Sequence, residues 1–64
     1  MEFSKMESID SGLKFKTVSN LMVETTGTTE HLEETDLFVH EVRVLEGPGE
    51  GNKYLHNLDS AEQI

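Results

Sequence analysis

The chain has no cysteine and no tryptophan, a single proline, and only five basic residues among 64. Without cysteine there is no disulfide, no thiol nucleophile and none of the Cys-based zinc ligand sets, so the commonest staples of very small domains are excluded. Aromatic residues are also scarce: Phe3, Phe15, Phe38 and Tyr54 are the whole set. A core needs most of them, which leaves too few for the stacking platform of a single-stranded nucleic-acid binder. Long apolar runs are missing as well. Leu21-Met22-Val23 and Leu37-Phe38-Val39 are the longest, against the ~20 residues of a membrane helix, so no membrane span is expected. The segment from Met1 to Glu7 carries acid early and no apolar stretch, unlike a signal or transit peptide, and a cytoplasmic location is expected.

What the chain has in excess is acid. Thirteen Asp and Glu against five Lys and Arg give a formal net charge of −8, so direct nucleic-acid binding would work against long-range repulsion from phosphate. Such acidity serves solubility, adaptation to high salt, or attraction to a basic partner. At 64 residues the chain is one domain near the lower size limit for a self-sufficient core, which typically supplies ~3–5 kcal/mol of net stability. With disulfides excluded, homo-oligomerisation is the expected supplement.

The densest strand signal lies between Asp36 and Leu58. Leu37 to Leu45 is rich in β-branched and aromatic residues, and Asn52 to Leu58 alternates apolar with polar, so the two read as the arms of a hairpin. Glu46-Gly47-Pro48-Gly49-Glu50-Gly51 between them is a loop, because its glycines permit positive φ and Pro48 donates no ladder hydrogen bond. Upstream, Leu13 to Val18 alternates with Leu13, Phe15 and Thr17 on one face and Lys14 and Lys16 on the other. Ser19-Asn20 is a turn, after which Leu21, Val23 and Thr25 return to the buried side. Gly27 within Thr25 to Thr29 marks a bulge or bend, where the strand could break in two. Glu30 to Asp36 is polar with one apolar residue and reads as a loop or helical turn at a hairpin tip.

Parity within Leu37–Leu45 conflicts with itself: Phe38, Val42 and Val44 share one face, Leu37, Val39 and Leu45 the other. A long strand bent so that its halves pack on different sides of the core resolves this, with Val42 and Val44 inward. In the partner arm Tyr54, His56 and Leu58 share a face. Phe3, Met6 and Ile9, spaced by three, form one face of a helical turn or an irregular apolar arm. Ser60-Ala61-Glu62-Gln63 resembles a capping box and predicts a C-terminal helical turn, with Leu58, Ala61 and Ile64 facing the core. The expected fold is therefore all-β, a small antiparallel barrel of four or five strands, SH3-like or OB-like, since closure hides edge strands. Residues 1–11 form an N-terminal arm, 12–58 the β core and 59–64 the terminal turn. The expected core is Phe15, Val23, Val42, Val44, Tyr54 and Leu58, while Met22, Val39, Leu45 and Leu55 are left exposed.

Chemistry-bearing patterns are few. His31, His40 and His56 lie among carboxylates, but Glu30-His31 and His40-Glu41 are adjacent and point to opposite faces of a strand. His40 and His56 could meet across the hairpin, yet no third ligand stands at a recognised spacing, so no metal and no cofactor is expected. Serines 4, 8, 11, 19 and 60 fall in termini and turns, outside any nucleophile motif. The Gly-Pro-Gly-Glu-Gly loop lacks the lysine and following helix of a phosphate loop. An enzyme is not expected.

The distribution of charge is more informative. Lys14, Lys16, Arg43 and Lys53 all fall outward on strands, whereas most acids lie in termini and loops, leaving Glu24 and Glu41 as strand acids. Either the lysines pair across strands with Glu24 and Glu41, or the domain presents a basic sheet face with acidic rims. Two functions fit. The first is a non-catalytic interaction module that binds a protein through a sheet face or strand edge. The second is an acidic inhibitor that occupies the basic site of a nucleic-acid-binding protein, with Glu30, Glu33, Glu34 and Asp36 standing in for phosphates.

Overall fold

The computed structural model describes residues 2–64, so the first residue of the expected arm lies outside it. Five strands form one antiparallel sheet: β1 Lys14–Lys16, β2 Met22–Leu32, β3 Leu37–Val44, β4 Lys53–His56 and β5 Glu62–Gln63, in the order β4-β3-β2-β1-β5. Two 3-10 turns complete it, η1 at Phe3–Lys5 and η2 at Leu58–Ser60. Among the described residues no helix is long and apolar enough to cross a membrane.

Each strand follows from its local pattern. β1 exposes both lysines and buries Phe15, as strict alternation requires. It turns into β2 through Thr17–Leu21, where Asn20 takes a φ of 66° and its NH donates to the Thr17 carbonyl. Two identical bulges set the remaining entries. The Gly51 NH donates to the Val44 carbonyl while the Val44 NH donates to the Asn52 carbonyl; the Gly12 NH and the Leu13 carbonyl bond Thr25 in the same way. In both, two residues oppose one, and the first has a φ of 84–90°, which glycine alone adopts without strain.

The bulge expected at Gly27 lies in β2. Between the pairs Thr25–Val42 and Thr29–His40, β2 advances four residues while β3 advances two, so a bulge centred on Gly27 takes up the excess. β2 nevertheless remains one strand, and the fifth strand is the C-terminal Glu62–Gln63 rather than a fragment of β2. β3 itself carries no bulge, and His40, Val42 and Val44 are buried on its inner face. Leu37, Val39, Glu41, Arg43 and Leu45 share the outer one. Val39, expected to be exposed, is only 8% exposed. The hairpin tip is also shorter than expected, because Glu30, His31 and Leu32 continue β2 and only Glu33 to Asp36 turn.

The core gathers Phe3, Ile9, Phe15, Val23, Val42, Val44 and Leu58, with Met6, Leu13, Leu21, Tyr54 and Ala61 packed at its margin. The expected set is thus buried except for Tyr54, which is half-buried. Phe3 and Phe15 meet edge to face at 5.1 Å, a favoured aromatic geometry.

The sheet does not close into a barrel. β4 pairs only with β3, and β5, two residues long, pairs only with β1. Leu58, fully buried on the intervening η2 turn, and the η1 turn packed against β3 and η2 cover the core in place of a further ladder. The capping-box reading of Ser60 fails as well. Asn57, not Ser60, caps η2 by accepting from the Asp59 NH, and the chain then extends into β5, leaving Ile64 exposed.

Candidate functional site

The register aligns the strand cations. Lys14 is opposite Glu24, Glu24 opposite Arg43 and Arg43 opposite Lys53, so one row crosses β1 to β4 on the outer face. Lys16 stands in the next row, between Glu62 and Met22. All four cations are exposed. Their pairing differs from simple lysine–glutamate bridging. It is Arg43 that takes Glu24, at 3.1 Å, and the Glu41 carboxylate accepts from the Thr26 hydroxyl at 2.7 Å. Lys14, Lys16 and Lys53 have no ion-pair partner among the described residues. The guanidinium fork suits a carboxylate better than an ammonium does, which explains the choice. A shallow hollow of about 340 Å³ lies against this row, lined by Ser11, Glu24, Thr26, Arg43 and Lys53.

One edge beside the row is open. Bonded pairs alternate along an antiparallel ladder, and Val44 bonds Asn52. Tyr54 and His56 therefore bond to β3, while Lys53 and Leu55 turn their NH and carbonyl groups to the free side of β4. Leu55 itself is 46% exposed.

The acidic candidates sit elsewhere. Beyond the His40–His56 pair, β2 and β3 run on with neither β1 nor β4 beside them, so Thr29–Val39 projects as a two-stranded arm. Glu30, Glu33, Glu34 and Asp36 are exposed on it. Asp36, at a φ of 53°, accepts a hydrogen bond from His31 Nε2–H at 2.8 Å, and the His31 ring lies 4.7 Å from that of Phe38. The basic row and the acidic tip are thus separate parts of one molecule, not one site.

His40 has a different role from the one its neighbours suggested. It is fully buried, with Nε2 at 2.9 Å from the Phe3 carbonyl and Nδ1 at 2.8 Å from the Thr29 hydroxyl. A carbonyl only accepts, so in the neutral ring Nε2 carries the hydrogen and Nδ1 accepts from Thr29. His56 is its cross-strand partner, as the hairpin suggested, but both His40 nitrogens are already engaged, by Phe3 and Thr29. A second tie, invisible in the sequence, joins the same arm to η2: the Ser4 NH donates to Asp59 Oδ1 at 3.1 Å and the Ser4 hydroxyl donates to Asp59 Oδ2. A third is Thr25, whose buried hydroxyl donates to the Asp10 carbonyl at 2.6 Å and accepts from the Leu13 NH.

These groups give stability a direction with pH. Burial pushes the His56 imidazole below its ordinary value of 6.5, and its Nε2 has no hydrogen-bond partner among the described residues. The Ser4 hydroxyl holds the Asp59 carboxyl below its ordinary 3.8, helped by the Ser4 NH and opposed by desolvation. In both cases the unfolded chain binds the proton more readily, so stability rises with pH. The His56 contribution is complete above pH 6.5 and lost as pH falls toward its lowered pKa; that of Asp59 is lost only in stronger acid. Thermal midpoints across acid to neutral pH should fall in these two stages, with His56→Leu removing the upper one alone. A midpoint in the parent independent of pH around 6 would contradict the assignment.

No protein-family model, curated protein or solved structure matches the chain.

Proposed function

We propose that the chain is a non-catalytic interaction module that binds a protein partner through the outer face of the sheet, beside the open β4 edge. The observation that carries this reading is the row Lys14–Glu24–Arg43–Lys53, with Lys16 next to it, in which three exposed lysines lack ion partners among the described residues although the net charge is −8. Cations that do not serve internal pairing are available to carboxylates of a partner, and the free NH and carbonyl groups of Lys53 and Leu55 offer backbone pairing along the same margin. The face carries no aromatic side chain, which favours a protein over a nucleic-acid ligand. In architecture the sequential meander, curled at the β2 bulge and ending with β5 beside β1, favours an SH3-like over a Greek-key OB-like arrangement, open on one side. Such a likeness leaves the function to be argued from the face itself.

A second reading has its own observation. The projecting arm displays Glu30, Glu33, Glu34 and Asp36 clear of the sheet, as an acidic inhibitor of a nucleic-acid-binding protein would. Affinity capture with three baits separates the readings: the parent, Lys14→Glu/Lys53→Glu, and Glu30→Gln/Glu33→Gln/Glu34→Gln. The module reading expects the lysine variant to lose the parent's bound protein at least tenfold and the glutamine variant to retain it with an unchanged salt dependence. The inverse result, with a flattened salt slope for the glutamine variant, selects the inhibitor.

A further inference from the structure

The row of charges on the outer face stops at the free edge of β4, and what it lacks there identifies an occupant. Glu24 stands between Lys14 and Arg43 and is bonded to Arg43. Lys53, at the end of the row, has the already paired Arg43 on one side and the open edge on the other. We propose that β4 is extended by an antiparallel strand from a partner protein. The incoming segment carries an apolar residue opposite Leu55 and, two positions further on, a carboxylate opposite Lys53. The proposal rests on the reading of this face and edge as a protein-binding surface and names the chemistry of the partner.

Tyr54 and His56 bond β3, so the NH and carbonyl groups of Lys53 and Leu55 are those an added strand takes up. In antiparallel pairing the residues across from Leu55 and Lys53 are two apart and turn their side chains to the outer face. There the first meets Leu55, which is apolar and 46% exposed. The second meets Lys53, exposed and without an ion-pair partner among the described residues. The residue between them points to the inner face beside Tyr54, half-buried at the margin of the core, where a β-branched side chain makes a favourable cross-strand pair. Antiparallel is also the direction of every pairing in the sheet. The net charge of −8 opposes an acidic partner at long range, but at physiological ionic strength the Debye length of ~8 Å confines the contest to near neighbours. One carboxylate in register, rather than an acidic run, is therefore the signature of the segment.

The probe is a fluorophore-labelled, amidated peptide, Ser-Thr-Ile-Val-Glu-Thr-Ser, titrated with the full chain and followed by anisotropy. In register, its Ile lies opposite Leu55, its Val opposite Tyr54 and its Glu opposite Lys53. The peptide should bind, and replacing its Glu by Lys should weaken binding at least tenfold. Exchanging its Ile and Glu should do the same, although composition and charge are unchanged. Lys53→Glu in the protein should reverse the preference between the Glu and Lys peptides. Leu55→Pro removes an NH that the sheet itself does not use and should abolish binding of both. A cooperative thermal transition near the parent's midpoint verifies the fold of each variant. Absence of binding, equal binding of the exchanged peptide, or an unreversed preference in Lys53→Glu overturns the proposal. Affinity capture separates this failure from that of the broader reading. If a folded Leu55→Pro bait still holds the protein that the Lys14→Glu/Lys53→Glu bait loses, strand addition is overturned and binding through the lysine face stands; if the lysine bait loses nothing, both fall.

Discussion

Phe15→Ala is expected to leave the protein largely unfolded at room temperature. The side chain is fully buried between its cross-strand partner Val23 and the β5 residue Gln63 in register, and its ring meets that of Phe3 edge to face. Truncating a buried phenylalanine to alanine costs about 3–5 kcal/mol, cavity included. A single core of this size supplies a comparable net stability of ~3–5 kcal/mol, so nothing remains to hold the fold. The loss extends beyond β1, because Phe3, which with Ile9 joins the N-terminal arm to the core, loses its ring partner. A urea or thermal transition of the variant that stays cooperative near the parent's midpoint would refute the inward parity of β1.

His40→Ala should be the next most damaging change, by roughly 3 kcal/mol or more. A lost buried partner leaves the desolvation cost of the orphaned group, about 1–3 kcal/mol each, and here the Phe3 carbonyl and the Thr29 hydroxyl both lose theirs. The space left by a fully buried ring adds a cavity cost on top. The consequence is spatially specific: with the imidazole gone, the arm retains its ties through Ser4–Asp59 and Thr25–Asp10, so amides near Phe3 should gain exchange rate before those of β2 and β3. Equal hydrogen-exchange protection at Met6 and Val42 in the variant would show that His40 does not fasten the arm.

The candidate surface was legible in part. That Lys14, Lys16, Arg43 and Lys53 point outward follows from alternation alone, since each has an inward apolar neighbour in its strand: Phe15 for the first two, Val42 and Val44 for Arg43, and Tyr54 for Lys53. That they line up was not legible, because the row depends on which residue of β1 faces Glu24 and which of β4 faces Arg43. His40 carried a signal in its position on the Phe38–Val42–Val44 face, where a polar residue must find buried partners; the sequence offered no means of identifying Phe3 and Thr29 as those partners. Reading Glu30 to Asp36 as a hairpin tip is right for Glu33 to Asp36 and wrong for Glu30 to Leu32, which continue β2. Their polarity is real, but Glu30, His31 and Leu32 are all exposed and need no apolar alternation to form a strand, because backbone pairing with β3 holds them.

By itself the sequence determined the positions of β1, β3, β4 and the first half of β2, the inward set of Phe15, Val23, Val42, Val44 and Leu58, and the two-armed hairpin across the glycine-rich loop. These rest on a two-residue period and on φ preferences, which are properties of a few consecutive residues. The tertiary structure decided where β5 sits, that the sheet stays open, and which carboxylate Arg43 takes. Those outcomes depend on contacts such as Ser4 with Asp59, 55 positions apart, and on a short β5 that completes β1 while Leu58 fills the space a further ladder would have occupied. No local pattern encodes such contacts, because each is selected only once burial of the whole core has fixed which segments lie side by side.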